Sequence, residues 1–131
     1  MTGLPQFNFP LFHSAAAKLR AAGFNIISPA ELDSPQVQAE AMASTTGQLD
    51  AAGKIAGETW GQILARDVQI VADQVQGIIF LPGWSKSRGA QLEAFTGLLC
   101  GHKFGHYTGS NPAVVWIPAE DVKAGILGAH K

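Results

Sequence analysis

Apolar and polar positions along this chain follow two rhythms, and the switches between them mark out its elements. Leu11, Phe12, Ala15, Ala16 and Leu19 recur at helical spacing. They predict a helix capped by Asn8, with Pro10 near its first position and its end before Gly23. "GFNIISP" then changes to a short apolar run closed by Pro29, which predicts a strand, and "PAELDSP" reads as the loop leaving it. From Trp60 to Gln76 the helical rhythm returns: Trp60, Ile63, Leu64, Val68, Ile70, Val71 and Val75 share one side, and Arg66, Gln69, Asp73 and Gln76 the other. A second strand follows at Ile78 to Leu81, then a Pro82-Gly83 stop, then a helix from about Ser87 to Gly101 whose core face is drawn by Leu92, Phe95, Leu98 and Leu99. "HKFGHYTG" and "PAVVWIP" supply one or two further short strands, the last helped by Val114, Val115 and Ile117. Helix and strand alternate, which predicts a three-layer α/β/α arrangement on a mainly parallel sheet.

The stretch from Ser34 to Glu58 fits neither rhythm. It is rich in Ala, Gln, Gly, Ser and Thr and offers little large apolar surface to bury. A flap over a site, a weak helix and a plain surface excursion all stay open for it.

Composition narrows the setting. At 131 residues the chain has the size of one domain, residues 1–131, and no internal repeat is visible. Charged residues make up 15% and the net charge is -1, so there is no basic face for a nucleic-acid polymer or an anionic membrane. Partners are expected to be small molecules or protein. Cys100 is the single cysteine and has no internal disulfide partner, the N-terminus lacks a basic flank with a long apolar run, and no apolar stretch approaches the about 18 residues of a membrane span. These features point to a cytoplasmic protein.

Two carboxylates stand out against this pattern. Asp67 is seven residues after Trp60 and four from both Ile63 and Val71, which sets an acid within an apolar stripe. A structural tie to an arginine or a backbone N–H and a functional role are both open to it. Glu93 shares its side of the following helix with Thr96, Gly97 and Cys100, small neighbours that leave room for a ligand. That helix begins beyond the carboxyl end of a strand, where open α/β sheets bind ligands. Ser87 can cap it and donate to an oxygen, Gly89 lets the backbone approach closely, the free N–H groups of its first turn suit an anion, and Arg88 adds charge. A plain capped turn accounts for Ser87 and Gly89 equally well. Six residues at about 1.5 Å rise set Glu93 about 9 Å along the axis from Ser87, and its side chain leans back toward the helix start. The remaining gap resembles the span from a 5'-phosphate to the anomeric carbon of a ribose.

Other candidates carry less. His102 and His106 straddle Gly101 and Gly105 with no carboxylate to complete a set, so no metal site is expected. Cys100 lacks an activating partner and reads as a small core residue. Trp60 and Trp84 suit either base stacking or packing.

Three pieces, "MTGLPQFNFPLFHSAAAKLRAAGFNIISPAEL", "RDVQIVADQVQGIIFLPGW" and "SRGAQLE", together resemble the nucleoside 2-deoxyribosyltransferase-like superfamily, in particular its small phage and prophage branch. The run "RD...S-x-G-x-x-x-E" is also similar to the related nucleoside-monophosphate N-glycosidases. The resemblance spans residues 1 to about 97. It implies a Rossmann-like (flavodoxin-like) fold, Glu93 as nucleophile at the anomeric carbon, Asp67 as second acid, and Ser87 with Gly89 as phosphate or sugar contacts. Thr2, Gly3 and Asn8 would belong to a first loop lining the same pocket. It further implies a small nucleoside or nucleotide as ligand, no cofactor, and a homo-oligomer whose pocket is completed by a neighbouring subunit. A non-catalytic nucleotide-binding module and an interaction domain of the same fold are the rivals.

The chain departs from that pattern in three places. It opens at Met1-Thr2-Gly3, so the first strand is apparently missing, and Ala113 to Ile117 is a candidate to fill its place. Gln76 stands where an Asp is common, and the tail after Gly101 matches poorly.

Overall fold

The computed structural model of the chain describes residues 8–44, 47, 54–55 and 58–130. They form a mixed α/β protein with six α-helices, in two compact units, residues 1–63 and 64–131.

The first unit is built on helix α1 (Phe9–Ala21), whose buried residues Phe9, Ala15, Ala16 and Leu19 follow the spacing read from the sequence. Asn8 precedes it but lies in the left-handed region, φ 63°, and makes no side-chain cap bond. The expected cap is absent because such a bond is made from an extended backbone. The strand expected in "GFNIISP" does not form. Residues 24–28 make no ladder, since a strand needs a neighbour and here Arg20 Nη2 takes the Ile26 carbonyl at 2.9 Å. Helix α2 (Pro29–Leu32) replaces the predicted loop. Helix α3 (Pro35–Ala43) answers part of the open question about residues 34–58: Ser34 Oγ accepts the Val37 N–H at 3.2 Å, and Val37 and Ala41 pack with Phe9 and Ala30. Strands β1 (Lys54–Ile55) and β2 (Glu58–Thr59) pair antiparallel. Thr59 and Gln62 then form a reciprocal capping box, with Gln62 N–H donating to Thr59 Oγ1 at 3.1 Å and Thr59 N–H to Gln62 Oε1 at 2.8 Å. This box starts helix α4 (Trp60–Asp73).

The second unit holds a three-stranded sheet in the order β3-β4-β5 (Gly77–Phe80, Lys103–Tyr107, Val114–Ile117). The β3–β4 pair is parallel and the β4–β5 pair antiparallel, so the sheet is mixed where a mainly parallel one was expected. Chain length explains the difference. A parallel return needs a crossover of about a dozen residues or more, and residues 108–113 allow only a turn, closed by Thr108 N–H donating to the Ala113 carbonyl. Strand β5, within the segment Ala113 to Ile117, pairs with β4 on the side away from β3.

Helix α5 (Arg88–Cys100) connects β3 to β4 and presents an unexpected face. Its buried residues are Gly89, Ala94 and Gly97, while Leu92, Phe95 and Leu99 are exposed, Leu99 at 75%. The reason is closeness: a Cβ on Gly97 would lie 2.8 Å from Ile78 Cδ1 and 3.1 Å from the Phe104 ring. The sheet accepts α5 only on its small side. Cys100, expected in the core, is exposed at the helix end. A last helix, α6 (Ala119–Gly128), was not foreseen; its Val122 and Ile126 join Phe80, Ala94, Phe104, Leu98 and Ile117 in the core of this unit.

Candidate site at the α4–α5 carboxylates

Asp67 and Glu93 belong to the same unit and to different helices. Asp67 sits on α4, 8% exposed, as its place in the apolar stripe implied. Its charge is balanced by its neighbour: Arg66 Nε and Nη2 both donate to Asp67 Oδ1, at 3.0 and 2.8 Å. The tie to an arginine left open by the sequence is therefore present. A helical wheel hides it, because adjacent residues point about 100° apart, yet the long arginine side chain reaches round.

Glu93, on α5, is partly buried among Ala94, Gly97 and its other small neighbours. Its pKa is raised to about 8, chiefly by burial and then by the negative charge of Asp67, with Arg66 opposing both. A carboxyl in a desolvated place beside another carboxylate holds its proton, because the second charge has too little solvent to screen it. The two acids thus sense each other electrostatically. Arg66 beside Asp67 favours the charged form of that acid, and burial next to that charge favours the neutral form of Glu93.

The start of α5 is built as its sequence implied. Gly83 adopts φ 81°, a left-handed turn suited to glycine, and a 3₁₀ turn (Trp84–Lys86) follows. Ser87 caps α5, its Oγ accepting the Ala90 N–H at 3.3 Å, which leaves the hydroxyl proton to donate elsewhere. Gly89 is buried and Arg88 is exposed. Asn8 belongs to the first unit, and Thr2 and Gly3 lie outside the described residues.

Of the remaining candidates, Trp84 is a packing residue: it stacks on Phe80 with ring centroids 4.2 Å apart. His102 Nε2 donates to the Val71 carbonyl at 2.6 Å, and His106 meets the Phe80 ring edge-on. Among the described residues no group of three or more His, Cys, Asp or Glu side chains is placed to hold a metal ion, and no helix is long and apolar enough to cross a membrane. Sequence reading missed Gln91 and His130, which brace the turn before α5: Gln91 Nε2 donates to the Ser85 carbonyl and His130 Nε2 pairs with Gln91 Oε1, each at 2.6 Å. Nothing local marks so distant a pair.

A family model described as a domain of unknown function, DUF4406, matches residues 1–56. The match includes the first of the three pieces that carry the resemblance and stops before both acids. Neither a curated protein nor a solved structure matches the chain.

Proposed function

We propose that the chain is an N-glycosidase or deoxyribosyltransferase-like enzyme acting on a small nucleoside or nucleoside 5'-monophosphate. The observation that supports this reading is the electrostatic influence of Asp67, on α4, upon the buried carboxyl of Glu93, on the helix whose Ser87-capped start follows the carboxyl end of β3. The resemblance to the nucleoside 2-deoxyribosyltransferase-like superfamily, with its three-layer Rossmann-like arrangement, supplies the roles.

In this scheme Ser87, the free N–H groups beside it and Arg88 take the phosphate or sugar oxygens, and Gly89 allows the approach. The ionised Glu93 attacks the anomeric carbon as the bond to the base nitrogen breaks, and the electron pair of that bond leaves with the base. Asp67, ionised beside Arg66, orients the sugar and stabilises the positive charge that builds on it, and the departing base takes its proton from water. Water then releases the sugar, or a second base accepts it. Because free Glu93 holds a proton up to about pH 8, attack requires its loss, and kcat/KM is expected to rise with pH through that value. A fall over the same range would make Glu93 a proton donor instead.

The chain is further proposed to work as a homo-oligomer in the cytoplasm. The exposed Leu92, Phe95 and Leu99, spaced along one side of α5, support association of two copies.

The test is a panel of deoxynucleosides and their 5'-monophosphates, with free base as the product measured. Release that disappears in Glu93→Gln supports the enzyme; absence of release from every compound rejects it. A second reading, a non-catalytic nucleotide-binding module, is favoured by the closed state of the acids, with Asp67 already paired and Glu93 protonated. Binding that is indifferent to Glu93→Gln would select it.

A further inference from the structure

The turn that delivers the chain into α5 is fastened from one side by the C-terminal helix. The Trp84 ring stacks on Phe80 and lies against Gly125 of α6 so closely that a Cβ there would be 2.8 Å from two of its ring carbons. Beyond it, the Gln91 side chain spans two partners. Its amide donates to the Ser85 carbonyl, and its oxygen accepts from His130, just past the end of α6. Within the turn, Lys86 N–H donates to the Gly83 carbonyl and Ser87 N–H to the Trp84 carbonyl, each at 3.0 Å. Ser87 is thus the last link of a short braced segment, and two of its braces come from α6 and the residues just beyond it.

We propose that α6 is a positioning element: through Gly125 against Trp84, and His130 through Gln91, it sets the place of the Trp84–Ser87 turn and thereby the affinity for a ligand's 5'-phosphate at the start of α5. The affinity half rests on the glycosidase reading; the mechanical half does not. Gly125 must lack a side chain because the indole occupies that space. Gly128, on the same helix, carries no such demand, since a Cβ there meets nothing within 4 Å. Alanine raises helix propensity at both positions, so Gly128→Ala serves as the control for that effect.

The experiment compares Gly125→Ala with Gly128→Ala in the full chain. Amide hydrogen exchange at Lys86, Ser87 and Ala90 is read alongside KM and kcat for a deoxynucleoside 5'-monophosphate and for the unphosphorylated deoxynucleoside. The expected result in Gly125→Ala is faster exchange at those three amides and a several-fold rise in KM for the monophosphate, with kcat and the nucleoside KM near wild type. Gly128→Ala keeps wild-type values in every column. Trp84→Phe added to Gly125→Ala, which shrinks the ring, restores part of both losses. His130→Ala, which removes a brace without adding bulk, gives a smaller change of the same kind and serves where Gly125→Ala fails to fold. Exchange and KM that are indistinguishable between the two alanine variants, with His130→Ala also unchanged, would overturn the proposal. A wild-type chain that releases no base from any compound would sink the glycosidase reading, while the exchange data still decide whether α6 holds the turn.

Discussion

Asp67 and Glu93 are two carboxyls withdrawn from water on neighbouring elements of one unit, and the protein neutralises them in opposite ways. Asp67 keeps its charge and gains a cation, Arg66, at hydrogen-bonding distance. Glu93 has no ion pair of this kind among the described residues, and burial favours its neutral form. The difference teaches which of the two is free to change state. An ion-paired acid stays ionised near neutral pH, whereas a protonated acid beside it is poised to ionise when a ligand brings positive charge nearby.

The largest effect expected from breaking this contrast is on chemistry. Glu93→Gln keeps the shape and the neutral state of the resting side chain, so it should fold normally, yet release no base in a product assay. Asp67→Asn removes the charge that orients the sugar; it should retain binding and lower kcat by about 10²-fold, as misplacement of the reacting groups does. A loss in KM alone would reduce Asp67 to a binding residue.

Stability sharpens the same contrast. The folded-state pKa of Glu93 lies above its unfolded value, so its contribution to stability is fully present below about pH 4 and is lost as pH rises through about 8. The melting temperature of the wild type is therefore expected to fall between pH 6 and 9 by more than that of Glu93→Gln, measured side by side by differential scanning calorimetry. Equal slopes would mean that Glu93 titrates as an exposed acid.

The two faces of α5 form a second contrast. Gly97→Ala forces a methyl against Ile78 and Phe104 and should cost about 1–3 kcal/mol in chemical denaturation, as overpacking does. Leu99→Ser, at the most exposed large apolar side chain among the described residues, should change monomer stability by less than about 0.5 kcal/mol. If the Leu92, Phe95 and Leu99 face joins two copies, Leu99→Ser shifts the sedimentation profile toward the monomer while leaving the fold intact.

These faces also mark how far the sequence can be read. Helices α1 and α4 were legible because a one-sided apolar rhythm has a single physical solution, and strand β3 because its apolar run ends at a Pro-Gly stop. Asp67 was visible for the same reason, as an interruption of a stripe. Helix α5 was found but turned the wrong way. Its leucines are more hydrophobic than Gly89, Ala94 and Gly97, yet the closeness of Ile78 and Phe104 admits only the small side, and closeness is a property of the partner, not of the helix. Residues 24–28 have strand composition without a strand, because pairing needs a second chain segment that local sequence does not supply. The direction of β5 was legible in principle from the short connection 108–113. So was α6, with Pro118 before it, Glu120 and Asp121 in its first turn, and Val122 and Ile126 one turn apart. The bracing of Ser85 by Gln91 and His130 was not, since it joins residues 39 apart.

The most direct test follows the Glu93 carboxyl itself, by carbon-detected NMR titration of the wild type and of Asp67→Asn. The account predicts a midpoint near 8 in the wild type and a clear downward shift once the neighbouring negative charge is removed. A wild-type midpoint in the ordinary glutamate range, or one that does not move in Asp67→Asn, would contradict the convergence of the two acids on which the whole reading stands.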